Sequence, residues 1–154
     1  MANIHPFFSG IDVNQAAQWT LQFLNDNVLN TITGLSPQPS VIISEGTTSL
    51  ANSSLVLMTL VGWPSGGGAI NASVASIANM QYFLNTFPAA AKNANVTYYW
   101  FEGYDEPWKV IYNTATAQYE DKWVWVTADK VTNVQGLLDV NGYLKDGITL
   151  PSSV

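Results

Sequence analysis

Three segments of this sequence place an ionisable side chain at or after a run of residues typical of a β-strand. His5 lies in the first, Glu45 follows Val41–Ser44, and Glu106 follows Val96–Tyr104. In α/β folds the carboxyl ends of parallel strands form the ligand-binding edge. Two carboxylates close together there could act as a nucleophile and a proton donor. The residues alone therefore allow Glu45 and Glu106 to form a catalytic pair.

Aromatic residues beside these segments have the faces needed for stacking on sugar rings. Trp63 and Trp108 each adjoin a proline in a loop-like segment, and Tyr104 ends the third predicted strand. Aromatic residues in such places are candidates for ligand contact. Four further aromatic residues are expected to pack in the core or at an interface: Phe7, Phe8, Trp100 and Trp123.

Composition excludes several classes of function. The chain has 154 residues, enough for a single domain over residues 1–154, and 47% of them are hydrophobic. Only 10% are charged, the net charge is −6 and no arginine is present. Without a basic cluster we expect no nucleic-acid partner and no anionic-membrane partner. A neutral polar surface suits uncharged ligands such as sugars.

Cofactor chemistry is not expected either. The chain has no cysteine and a single histidine, so thiol sites and multi-histidine metal sites are excluded. We expect no metal and no cofactor. No apolar run reaches the 18 residues of a membrane span, and the first residues lack the pattern of a signal peptide. Three Asn-x-Ser/Thr sequons, at Asn52, Asn71 and Asn95, would suit a secreted protein.

The elements that must position these residues alternate along the chain. Strands are predicted at Ile4–Phe8, Val41–Ser44 and Val96–Tyr104, with helices near residues 14–28 and 72–87. Asp12 or Asn14 would cap the first helix, Asn71 or Ser73 would cap the second, and Pro88 would end the second. Alternating strands and helices predict an α/β fold with a parallel sheet.

Residues 97–109 (TYYWFEGYDEPWK) resemble the last-strand motif of glycoside hydrolase family 17, the fungal β-1,3-glucanases and glucanosyltransferases. Residues 2–8 look like its sixth strand. Ile43-Ser44-Glu45 and Gly62-Trp63-Pro64-Ser65 look like the two pieces of its nucleophile motif, and residues 120–123 and 136–140 like its closing segment. The resemblance implies that the chain corresponds to the last three β/α units of a (β/α)8 barrel. It also implies a protein that is secreted or located in the cell wall.

The resemblance also assigns roles to residues. Glu45 takes the nucleophile position. The acid/base glutamate of the family lies on the fourth strand, which has no counterpart here. Glu106 and Lys109 become cleft residues that hold sugar hydroxyls, and the position of His5 faces the cleft. This interpretation disagrees with a Glu45–Glu106 catalytic pair, because a carboxylate near a lysine usually stays ionised.

Two segments depart from the family pattern. Residues 46–60 separate Glu45 from Val61, and residues 124–135 interrupt the closing segment; removing either restores the pattern. We interpret both as translated introns. The first would displace the Trp63 loop and impair the nucleophile. Strands at Leu55–Thr59 and Val124–Thr127, or poor order, are expected within them.

Three functions remain open from the sequence. The first is a truncated, catalytically impaired glucanase that still binds β-1,3-glucan. The second is an active hydrolase or transglycosylase that uses Glu45 with an acid from Glu106 or a partner chain. The third is a self-assembling interaction protein without a sugar ligand. A slice of a barrel has open sheet edges, so we expect a homodimer or larger oligomer that buries Val41, Ile43, Trp100 or Leu55–Met58.

Overall fold

A small parallel sheet lies at the centre of the structure. The computed structural model describes residues 4–36, 41–43, 57–58, 60–101, 106–123 and 149. The central sheet has four strands in the order β2-β1-β6-β3, with each neighbouring pair parallel, and a separate antiparallel hairpin joins β4 to β5. The strands in chain order are β1 (Val41–Ile43), β2 (Leu57–Met58), β3 (Leu60–Val61), β4 (Ala69–Ile70), β5 (Ser73–Val74) and β6 (Thr97–Trp100).

Strand β6 pairs with two different strands along its length. Ile43 at the end of β1 is opposite Tyr98 of β6, and Leu60 at the start of β3 is opposite Tyr99. Strand β6 therefore lies between β1 and β3, which pair with successive halves of it. This confirms the predicted parallel pairing of the second and third segments. The strand predicted at Leu55–Thr59 is confirmed in part, because it contains β2.

The first predicted strand, Ile4–Phe8, is wrong. Phe7–Ser9 form a 3-10 helix capped by Pro6, whose φ of −60° and ψ of −32° are helical. Gly10, at φ 73°, closes this turn by donating its N–H to the Phe7 carbonyl. Proline lacks the N–H that a strand ladder needs, so the apolar run folds into a turn that buries Ile4 and Phe7.

The first predicted helix is confirmed and extends further than expected. Helix α1 (Val13–Leu24) begins at Asp12, whose carboxylate accepts from the Asn14 N–H. It continues through a π-helical turn (Asn25–Leu29) into α2 (Asn30–Ile32). The buried positions recur at intervals of three or four residues and form one stripe against the core: Val13, Ala16, Thr20, Leu24, Val28 and Ile32.

The second helix is displaced from its prediction. Residues 72–74 belong to the hairpin, and α3 spans Ile77–Asn93 with Ser76 as its N-cap. Pro88 does not end the helix, although it removes one backbone hydrogen bond. Phe87 and Ala91 are buried on either side of it. Packing therefore holds the helix together across a residue that would otherwise break it.

The core between the helices and the sheet is rich in aromatic rings. Trp63, Phe83 and Phe87 have no exposed surface, and the Phe83 and Phe87 rings stack at 5.3 Å between centroids. Phe83 also contacts Trp63 at 5.8 Å and Trp100 at 5.6 Å, which joins α3 to the loop after β3 and to β6. Within the described ranges, no helix is long and apolar enough to cross a membrane.

Candidate functional site

An ion pair lies just beyond the carboxyl end of β6. Glu106 caps a 3-10 helix, Pro107–Tyr112, and its carbonyl accepts the Lys109 N–H at 2.8 Å. This single turn brings the two side chains together, with Lys109 Nζ 2.5 Å from Glu106 Oε2. Both side chains are largely buried, with 17% and 20% exposure. The pair therefore holds an ammonium group and a carboxylate group in fixed positions. Both groups can form hydrogen bonds with hydroxyl groups.

The ammonium of Lys109 also lies over an aromatic face. Its Nζ is 4.5 Å from the centre of the Phe101 ring, within the range of a cation–π contact. Phe101 directly follows β6, and its ring lies 6.1 Å from His5 and 5.9 Å from Trp123. Phe101 thus links the ion pair to the aromatic cluster around His5.

His5 is enclosed by this aromatic cluster. Edge-on contacts join its ring to Phe8 at 5.5 Å and to Trp123 at 5.6 Å. Burial lowers the pKa of His5 to about 4, so the imidazole is neutral near pH 7. Its Nδ1 is buried and has no hydrogen-bond partner among the described residues. The ring of His5 and the ammonium of Lys109 contact the same Phe101 ring, and Glu106 is paired with Lys109.

Two predicted stacking residues have opposite environments. Trp108 is 56% exposed, and Lys109 Nζ lies 5.6 Å from its ring centre. Trp63 has no exposed surface, and its indole N–H donates to the Val74 carbonyl at 2.9 Å. The expectation that Trp63 stacks on a sugar is therefore corrected, because its ring lies inside the core against Phe7 and Phe83. Trp108 keeps the exposed face that stacking requires.

Glycine brings the ends of β3 and β6 close together. A Cβ on Gly62 would come within 2.5 Å of the Phe101 carbonyl oxygen. Further along this loop, the Ser65 N–H and hydroxyl both donate to the Lys122 carbonyl, at 2.7 and 3.0 Å. Residues 62–68 are therefore tied to the segment that ends at Trp123, and this segment forms one wall of the His5 cluster.

The same segment contains a second ionic group that supports the wall. Asp121 accepts hydrogen bonds from Lys122 Nζ at 2.8 Å and from Asn113 Nδ2 at 2.7 Å. Burial alone would raise the pKa of Asp121, but these hydrogen bonds outweigh it and lower the pKa. The Asn113 side chain also accepts the Glu120 N–H at 3.1 Å. These contacts hold the turn at residues 113–122 in place.

Two predicted site residues, Glu45 and Tyr104, lie outside the described residues, as does the strand predicted at Val124–Thr127. Two cluster members, Phe101 and Trp123, were not predicted as site residues. Phe101 directly follows β6, and a position at the end of a strand is a signal that could have marked it as a site residue. Trp123 was expected in the core and is 2% exposed. In the part of the chain that the structure describes, no group of acidic residues and histidine is arranged to hold a metal.

Comparison with protein families identifies the class of this chain. Residues 1–123 match the model of the BtgE/BtgC glycoside hydrolase domain. The chain belongs to this family.

Individual relatives extend the match over nearly the whole chain. A probable glucan endo-1,3-beta-glucosidase, btgC, of Aspergillus terreus is 35% identical over 162 aligned positions, and the glucan endo-1,3-beta-glucosidase btgC of Emericella nidulans is 33% identical. Each alignment covers 98% of this chain and 20% of the relative. The chain therefore spans about a fifth of the length of these curated relatives.

Solved structures support the fold. A glycoside hydrolase family 17 β-1,3-glucanosyltransferase from Rhizomucor miehei matches with a TM-score of 0.64 and 24% identity. An active-site mutant of that enzyme, in complex with laminaritriose, matches with a TM-score of 0.65 and 24% identity. In both cases the match covers 96% of this chain and 41% of the other. The predicted α/β architecture, a part of this fold, is thereby confirmed.

Proposed function

We propose that this chain binds β-1,3-glucan oligosaccharides at the carboxyl end of β6 and has little or no hydrolytic activity of its own. The Lys109–Glu106 pair hydrogen-bonds sugar hydroxyls, and the exposed face of Trp108 stacks on a pyranose ring. The observation that carries this proposal is the ion pair itself, which lies beside an exposed tryptophan ring and above Phe101.

The chemistry of this edge suits a neutral ligand that has both hydroxyl groups and apolar ring faces. Lys109 can donate to a hydroxyl oxygen, and Glu106 can accept from a hydroxyl hydrogen. The aromatic ring of Trp108 offers an apolar face to the C–H groups of a sugar. The Aspergillus relatives are glucan endo-1,3-beta-glucosidases, and a solved relative of this fold binds laminaritriose. These names support a β-1,3-glucan as the ligand class.

Binding is favoured over catalysis by the state of Glu106. A general acid in glycoside hydrolysis must carry a proton to the leaving oxygen. The Glu106 carboxylate is instead in an ion pair with Lys109. In this state it can accept a hydrogen bond from a sugar hydroxyl but has no proton to give. An active hydrolase with Glu45 as nucleophile would therefore need an acid other than Glu106. We place the protein outside the cell or in the cell wall, in keeping with the class of its relatives.

Titration with laminarin oligosaccharides tests the proposal. Affinity in the range of about 0.1–1 mM is expected, equivalent to roughly −4 to −5.5 kcal/mol. Little dependence on salt is expected because the ligand is uncharged. Trp108→Ala is expected to weaken binding at least fivefold when calorimetry or amide shifts are used, since fluorescence would lose its reporter.

A matched control separates loss of the platform from general damage. Trp19 on α1 contacts Phe23 at 5.1 Å and lies apart from the cluster around His5. Trp19→Phe should leave the affinity unchanged and should keep any sugar-dependent quenching that arises from Trp108. No response of the wild-type protein at 10 mM ligand, or equal affinity of the Trp108→Ala variant, would contradict glucan binding at this edge. A reducing-sugar assay on laminarin tests the hydrolytic activity separately.

A further inference from the structure

We infer that Asn95 is a site of N-linked glycosylation, and that this glycan projects from the amino end of β6. Asn95-Val96-Thr97 is one of the three sequons in the chain. N-glycans are added to asparagine in this pattern when a protein enters the secretory pathway. The inference rests on the proposed extracellular location but not on sugar binding.

Asn95 ends α3 in a way that turns its side chain toward solvent. The helix closes with two bonds, from the Val96 N–H to the Ala91 carbonyl at 2.9 Å and from the Asn95 N–H to the Lys92 carbonyl at 3.1 Å. This pair of bonds is the Schellman motif, in which the residue after the cap takes a left-handed conformation. Asn95 has φ 53° and is exposed. The acceptor amide therefore lies on a fixed, protruding turn.

The direction of β6 keeps a glycan at this turn away from the proposed cleft. Asn95 comes two residues before β6 begins, whereas Phe101 follows its end. At about 3.3 Å per residue, the six steps from Asn95 to Phe101 span roughly 20 Å. A bulky group at Asn95 is thus compatible with an open edge at Lys109.

A second sequon in the described residues is less suitable. Asn71, at φ 48°, is in the turn between β4 and β5, and a Cβ built on Gly10 would lie 2.7 Å from its Nδ2. The nitrogen that would carry the glycan therefore faces the backbone of Gly10. Ser73 of this sequon is fully buried, and its hydroxyl donates to the Ile11 carbonyl at 2.6 Å. We accordingly assign the glycan to Asn95 and not to Asn71.

Glycosylation of Asn95 is a group-transfer reaction. A lipid-linked oligosaccharide pyrophosphate supplies the sugar. A bond forms between Asn95 Nδ2 and the anomeric carbon of the first sugar, and the bond from that carbon to the pyrophosphate oxygen breaks. The amide loses one proton, and the lipid pyrophosphate leaves. No oxidant or reductant is needed.

The test is translation of the full chain, behind a cleavable secretory leader, in the presence of microsomes, followed by electrophoresis with and without peptide-N-glycosidase. The wild type should show a shift that the glycosidase removes. Two substitutions should abolish the Asn95 glycan by different routes: Asn95→Gly, which keeps a residue suited to positive φ, and Thr97→Val, which keeps a β-branched residue in β6. Thr97→Ser should retain the glycan.

Two further variants show which sequon is used. Asn71→Gln and Asn52→Gln should keep the shift that depends on Asn95. A wild-type mobility for Asn95→Gly and Thr97→Val, or a protected wild-type chain with no glycosidase-sensitive shift, would overturn the inference. Protection from added protease shows that the chain entered the microsomes. The assay contains no glucan, so its failure and the failure of sugar binding are distinguishable.

Discussion

The ammonium of Lys109 lies 4.5 Å from the centre of the Phe101 ring while it is paired with Glu106. One cation therefore connects the 3-10 helix Pro107–Tyr112 to the residue that follows β6. A long flexible side chain held by a carboxylate and a ring loses most of its freedom before any ligand arrives. Preorganisation of this kind lowers the entropic cost of binding.

Replacing Lys109 with methionine should destabilise the protein by about 1–3 kcal/mol, because Glu106 would lose the partner of a largely buried carboxylate. Urea denaturation measures this change in the free energy of unfolding. The control is Lys92→Met on the exposed last turn of α3, where a loss of at most about 1 kcal/mol is expected. Equal effects of the two substitutions would show that the Glu106 pair adds no stability.

The free energy of unfolding should decrease as the pH is lowered from 6.5 to 4, because His5 resists protonation in the folded protein. Its folded pKa of about 4 is below the ordinary histidine value of 6.5, so the unfolded chain binds more protons in this window. The contribution is complete above pH 6.5 and is lost as the pH falls toward 4, by at most about 3 kcal/mol at 1.36 kcal/mol per pKa unit.

The His5→Gln variant isolates this effect from the acidic residues that titrate in the same range. As the pH falls from 7 to 4, the wild type should lose up to about 3 kcal/mol of unfolding free energy relative to the variant. Curves that stay parallel over this interval would mean that His5 has the same pKa in the folded and unfolded chains.

Gly67→Ala should cost about 2–4 kcal/mol, whereas Gly66→Ala should stay within about 0.5 kcal/mol. Gly67 has φ 104°, and a Cβ there would come within 1.9 Å of the Gln118 carbonyl oxygen. At Gly66 the nearest atom is Lys122 Cδ, at 3.8 Å. Thermal or urea unfolding of both variants provides the comparison. Similar stabilities would indicate that the loop does not dock on residues 118–119 in solution.

Self-association remains a prediction and is open to a direct measurement. Among the described residues, several large exposed apolar side chains lie in the 3-10 helix that follows Glu106, and β2 has one paired neighbour in the sheet. Light scattering at micromolar protein should give a mass of at least twice 16.8 kDa. A mass of 16.8 kDa would favour the sugar-binding function over the interaction protein.

Much of the architecture follows from local patterns. The apolar run at Val41–Ile43 and the β-branched and aromatic run that starts at Thr97 form parallel strands, and Asp12 caps a helix as its side chain predicts. The pairing of Glu106 with Lys109 follows from a spacing of three residues on one helical turn. These features depend on a few neighbouring residues and need no knowledge of the rest of the chain.

The failures have a different physical origin. Pro6 lies in a helical turn where a strand was predicted, and Pro88 stays inside α3 because Phe87 and Ala91 hold the helix to the core. Trp63 lies between Gly62 and Pro64, yet its ring is fully buried because Phe7 and Phe83, from distant parts of the chain, pack against it. Such tertiary packing has no signal in the local sequence.

Ile43 and Leu60 pair with adjacent residues of β6, and this has a consequence for engineering. The two residues are opposite adjacent positions, Tyr98 and Tyr99, so the sheet itself fixes the separation of the ends of the intervening chain. Closing a longer segment between fixed ends costs only about 0.6 kcal/mol for each doubling of its length. Lengthening the chain that joins Ile43 to Leu60, for example with a reporter peptide, should therefore leave the pairing of both residues with β6 in place.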